Sequence, residues 1–149
     1  MVTKHFLVNG VLVFRGSLND KTSGYDKDTK EAYRFSIKEP AFKNSKGDKD
    51  LKELTGEYDP KDRFTPKWVK DFLNDGVKPE YINFKSQFPL VCRERTDKGD
   101  IEIDRSEVIS GAKGWLSLTL KSDDNGTALY SGQFLMIENG KLYIPFEEV

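Results

Sequence analysis

Hydrophobic and polar residues alternate with a period of two along much of this chain. The pattern is clearest from residue 115 to 121, where Leu116, Leu118 and Leu120 alternate with Trp115, Ser117, Thr119 and Lys121. In an extended strand, that spacing sends the leucines to one face and an indole, two hydroxyls and an ammonium to the other. The segment "AYRFSIKEP", 32 to 40, repeats it. Tyr33, Phe35 and Ile37 share one face, Arg34, Ser36 and Lys38 share the other, and the strand is expected to stop at Pro40. In "EYINFKSQFPLVCRER", 80 to 95, Ile82 and Phe84 point one way and Tyr81, Asn83 and Lys85 the other. "HFLVNGVLVFR", 5 to 15, is a further strand, interrupted at Asn9-Gly10 by either a tight turn or a bulge.

Residues 65 to 76 break the period. Trp68, Val69, Phe72 and Leu73 form one apolar stripe at helical spacing, Thr65 is placed to cap, Pro66 suits the first helical position, and Gly76 suits the stop. The charged stretch 43 to 62 reads as loop with a short helical turn near Leu51 and Leu54, and 16 to 31 is a polar loop. Lys98-Gly99 marks a turn, Asp123 to Gly126 a hairpin, and Glu138 to Gly140 another turn before a last strand in "KLYIPF". Strand, strand, one helix and then several strands with tight turns predict a mainly β fold. The expected form is a small antiparallel barrel with one main helix covering an opening, as a single domain over residues 1 to 149. An open antiparallel α+β sandwich is the alternative.

Composition narrows the function. The 24 basic and 25 acidic residues leave a net charge of -1, so nothing draws the whole chain to a polyanion, and a site for one must be a local basic strip. Cys92 stands alone, which excludes an intramolecular disulfide and fits a reducing cytoplasm. No apolar run is long enough to span a membrane, and "MVTKHFLVNG" lacks the apolar stretch of a signal peptide, so a cytoplasmic protein is expected.

Catalytic patterns are missing from the sequence. One His and one Cys cannot make a Cys/His zinc site, and no nucleophile elbow, phosphate loop or dinucleotide fingerprint occurs. Asp100, Glu102 and Asp104 alternate on one strand, where they would either gather a divalent ion, as in a nuclease, or guard a sheet edge with charge. The reading is of a protein that is not an enzyme, with no catalytic residue, metal or cofactor assigned.

What remains is the polar face of three strands. Single-stranded nucleic acid offers flat bases that stack on rings and phosphates that bind Lys and Arg along a groove. Trp115 and Tyr81 are the candidate stacking residues, with Tyr33, Phe14 and Phe88 in reserve. Arg34, Lys38, Lys85, Lys113 and Lys121 are the candidate phosphate contacts, and Asn83 a polar contact. The loops carrying Tyr25, Lys43, Lys46 and Lys49 are placed to close over a bound strand. In the alternative reading the exposed rings form a protein interface, as in a phage accessory or anti-host factor.

"YINFKSQFPLV" followed by "VISGAKGWLSLTLK" resembles the phage-encoded single-stranded DNA-binding proteins with an OB fold, with weaker echoes in "FRGSL" and "YRFSI". The resemblance covers mainly residues 80 to 121. It implies a five-stranded barrel with single-stranded DNA across the exposed strand face, in phage DNA replication or recombination. Asn83, Lys85 and Ser86 match the family's strand, with Phe84 facing inward. Replication or recombination proteins are then possible partners, and oligomerisation is left open. The ending "KLYIPFEEV" is a poor match to the acidic tail that recruits such partners.

Overall fold

The computed structural model describes residues 2–22, 31–42 and 48–141. In chain order the elements are β1 (Val2–Val13), β2 (Tyr33–Phe42), α1 (Asp48–Gly56), α2 (Lys67–Asp75), β3 (Tyr81–Ser86), β4 (Val91–Thr96), β5 (Gly99–Ile103), a 3-10 turn (Arg105–Glu107), β6 (Ala112–Asp123) and β7 (Gly126–Glu138). The strands form one sheet in the order β3-β2-β1-β6-β7-β4-β5. Every pairing is antiparallel except β4 with β7.

That order forces the sheet to curl. β3 and β4 stand five places apart, about 24 Å in a flat sheet at ~4.8 Å per strand. Yet only residues 87 to 90 join them. Five Cα steps reach at most about 18 Å. The sheet therefore bends round so that β3 and β4 act as two halves of one strand, and the parallel β4–β7 pairing completes a partly open barrel of OB type. The fold is mainly β, as the alternation predicts, and the open sandwich is set aside.

The inward row is what the period-two pattern demands. Phe6, Val8, Leu12, Phe35, Ile37, Ile82, Phe84, Leu116, Leu118, Leu120 and Phe134 are buried in one cluster. Two helices of equal length cover the barrel, where the sequence suggests one main helix and a short turn. α1 contributes Leu51 and Leu54, three residues apart on one face, and its remaining charges hide it from a periodicity search. Lys4 on β1 fixes α1 in place, its ammonium 2.6 Å from Glu57 and 3.5 Å from Glu53. α2 buries Val69 and rests Trp68 and Phe72 on the cluster.

Two local expectations change. Thr65 does not cap α2. Pro66 occupies the cap position, and the Thr65 hydroxyl donates to the Asp59 carbonyl at 2.6 Å, tying the preceding loop together. Gly76 does end α2 in the left-handed conformation, with φ 68°. Pro40 does not end β2. The strand continues to Phe42 through a bulge, with Glu39 at φ 51° and its N–H turned to the Glu80 carbonyl. β1 runs straight through Asn9-Gly10, and the one extra residue lies on β2, where Glu39 and Pro40 stand opposite Gly10. A Cβ at Gly10 would collide with the Ile37 side chain, so glycine is what lets the bulged strand approach.

Candidate nucleic-acid interface

The registers set the outward side chains in rows. Val11 of β1 faces Lys113 of β6 on one side and Lys38 of β2 on the other, and Lys38 faces Tyr81 of β3. Lys113, Val11, Lys38 and Tyr81 thus cross four strands in a line about 14 Å long. In the next rows Ser36 lies opposite Asn83 and Arg34 opposite Lys85. The Ser36 hydroxyl donates to the Asn83 side-chain oxygen. The Arg34 Nε donates to the Thr22 carbonyl at 3.2 Å.

On the other side of the Val11 row, Asn9 faces Trp115, Trp115 faces Leu135, and Leu135 faces Arg93. The indole is partly exposed and lies outside the core cluster. It sits in a groove of about 630 Å³ with Leu7, Ser117, Gln133 and Leu135, bordered by Arg93 and Arg95 of β4 and by Asp100 of β5. Arg93 donates to the Asp100 carbonyl at 2.7 Å, and Arg95 Nε lies 3.2 Å from the Asp100 carboxylate. Arg93 and Arg95 were not among the residues singled out from the sequence. Their signal was present: they alternate on one face of "VCRER", the same pattern used for Tyr81, Asn83 and Lys85.

The structure brings together Trp115, Lys113, Lys38, Tyr81, Asn83, Lys85 and Arg34 on one curved face. It places two others elsewhere. Lys121 is at the far end of β6, about 20 Å along the strand from Trp115, with its ammonium 5.6 Å from the Tyr130 ring centroid. Tyr33 shares the inward side of β2 with Phe35 and Ile37, at the start of the strand, with the Lys21 ammonium 5.6 Å from its ring centroid. Phe14 packs against the core, and Phe88 is 79% exposed in the β3–β4 link. Tyr25, Lys43, Lys46 and the side chain of Lys49 lie outside the described residues, as does the segment from Leu142 onward.

The three alternating carboxylates do not gather. Asp100 and Glu102 lie across from Arg95 and Arg93. Asp104 accepts from the Ser106 N–H at 3.0 Å, and hydrogen bonding to Ser106 lowers its pKa. Among the described residues, no group of three His, Cys, Asp or Glu side chains is placed to hold a metal ion. Burial raises the Cys92 thiol to about 11, against a smaller opposing effect of Arg105. Among the described residues, no helix is long and apolar enough to cross a membrane.

No family profile matches the chain. No curated protein matches it either. Its neighbours among solved structures are phage single-stranded DNA-binding proteins. The C-terminally truncated single-stranded DNA-binding protein of bacteriophage Enc34 aligns over 93% of this chain and 88% of its own, with a TM-score of 0.47 and 11% identity. The same phage protein in complex with single-stranded DNA aligns over 95% of this chain and 89% of its own, with a TM-score of 0.46 and 13% identity.

Proposed function

We propose that this chain binds single-stranded DNA without sequence specificity, on the outer face of β3, β2, β1 and β6 and in the adjoining Trp115 groove. In this reading it covers transient single strands during phage DNA replication or recombination. One observation carries it. Across Thr3–Val13, Arg34–Lys38, Tyr81–Lys85 and Lys113–Lys121, no outward position holds a carboxylate, although acids are about as numerous as bases in the chain. Five outward positions there hold Lys or Arg, and two hold Trp or Tyr. A phosphate backbone meets Arg34, Lys38, Lys85 and Lys113, while bases lie on Trp115 and Tyr81. Ser36, Asn83 and Ser117 can bond phosphate or base edges without imposing a sequence.

Trp115→Ala tests the reading. The indole is outside the core cluster, so the fold should survive. Affinity for oligo-dT should fall by about 1–3 kcal/mol, the usual worth of one stacked base. Wild-type tryptophan emission should drop on adding oligo-dT. A gel shift with single- and double-stranded oligonucleotides at two salt concentrations separates this from a protein-binding module, whose aromatic interface would ignore the oligonucleotide altogether.

A further inference from the structure

A second concavity, of about 760 Å³, opens between α2 and β3. Phe64, Trp68 and Tyr81 supply aromatic walls, and Pro66, Pro79 and Leu129 add apolar surface. Phe64 is 76% exposed and Tyr81 42%, while Trp68 is half-buried against the core. Large rings held in water around one concavity mark a binding surface more than a packing accident. The Arg63 guanidinium lies 4.5 Å from the Phe64 ring centroid, and the charged residues lining the cleft are Lys67, Lys78, Asp71 and Glu80.

Tyr81 belongs to two surfaces. It ends the row Lys113–Val11–Lys38, and it lines this cleft. A polyanion following the row therefore arrives at the mouth of the cleft. The adjoining lining residue Asn83 likewise sits on the outward side of β3.

We infer that the cleft is a nucleobase subsite. One base of the bound strand leaves the sheet at Tyr81 and inserts among Phe64, Trp68 and Tyr81, and its phosphate meets Lys67 or Arg63. The inference rests on the single-strand reading of the sheet face. It goes further in placing part of the site in the cleft between α2 and β3, beyond the rows of the sheet face. A planar, uncharged base carried on a polyanion suits flat apolar walls reached along a cationic row.

The chain's two tryptophans make the test position-specific. Trp115→Phe keeps a ring on the sheet face and leaves Trp68 as the reporter in the cleft. Oligo-dT of about 16 nucleotides should quench Trp68 in this variant, and oligo-dT of about 4 nucleotides should do so far less, these lengths spanning the range for such barrels. Phe64→Ala, at an exposed site, should weaken binding of the longer oligonucleotide about tenfold and leave the shorter nearly unchanged. If the longer oligonucleotide binds but Trp68 emission stays constant, or Phe64→Ala binds both lengths like wild type, the subsite is overturned and the sheet-face reading stands. That is also the result expected if the cleft holds a peptide instead. If neither length binds the wild-type protein at any salt concentration, both readings fall.

Discussion

Removing two lysines from the Val11 row should change the salt dependence of binding by a calculable amount. Six cations border the proposed path: Arg34, Lys38, Lys85 and Lys113 on the sheet face, and Arg93 and Arg95 at the edge of the Trp115 groove. Each phosphate neutralised on a single strand contributes about -0.7 to the slope of log affinity against log salt, so six contacts give a slope of about -4. Raising salt from roughly 50 to 200 mM, a fourfold change, then costs about 300-fold in affinity. The double variant Lys38→Ala/Lys113→Ala keeps four contacts, with a slope of about -3 and a loss near 50-fold over the same range. Neither lysine is in the core, and among the described residues Lys113 makes an exposed, 4.0 Å ion pair with Glu138, so thermal stability should hardly move. Fluorescence anisotropy of a labelled oligo-dT at four salt concentrations measures both slopes. Lys52→Ala, on the exposed side of α1, is the control. An unchanged slope in the double variant, or an equal change in the control, would refute the placement of the phosphate path.

Two further outcomes follow from the geometry. Asp100 holds Arg95 through a carboxylate contact of 3.2 Å at the edge of the Trp115 groove. Asp100→Asn should release Arg95 and tighten oligo-dT binding by roughly two- to fivefold at low salt, the range that an exposed ion pair allows, and weaker binding would remove Arg95 from the site. Burial raises Cys92 to about 11 and Tyr58 to about 12, so the fold holds both in the protonated form. Their stabilising effect is complete below the ordinary values of 9.0 and 10.0 and is lost as pH rises through the raised ones. The melting temperature should therefore fall between about pH 9 and 12, and Cys92→Ala should flatten the lower part of that fall.

The facing of β2, β3 and β6 was legible because period two needs only local sequence. Leu116, Leu118 and Leu120 are buried while Trp115 is not, and Ile82 and Phe84 are buried between the exposed Tyr81, Asn83 and Lys85. Partner choice was less legible, because it depends on contacts between distant segments. β4 joins β7 in parallel, which brings Val91–Glu94 beside Gln133–Met136, and nothing within either segment announces the other. The same limit hid Arg93. Its outward facing can be read from "VCRER", but its position one strand beyond Leu135 and Trp115 exists only once the barrel closes. Pro40 misled for a different reason. The rule that proline ends a strand assumes a regular ladder, and here the bulge opposite Gly10 leaves no ladder bond for the missing N–H to make.

Net charge says nothing of how charge is arranged, and here the arrangement decides the outcome. The chain is nearly neutral, yet one stretch of the sheet face carries bases alone, while elsewhere acids and bases pair, as in Lys4 with Glu57 and Arg95 with Asp100. Glu53 on α1 and Glu57 just after it hold Lys4, and Asp100 and Glu102 belong to the outermost strand, β5. Between residues 3–13, 34–38, 81–85 and 113–121 the outward positions hold cations and no carboxylate, while Glu39, Asp123 and Glu138 lie at the margins of that area. At physiological salt a charge is felt for about 8 Å, less than the 14 Å span of the Lys113–Tyr81 row. A strand lying on that row would respond to the row's lysines, and to Glu138 beside Lys113, far more than to acids on the helices. On the proposed reading near-neutrality carries a benefit: the face would hold a polyanion locally without a net positive charge that draws polyanions to the chain as a whole.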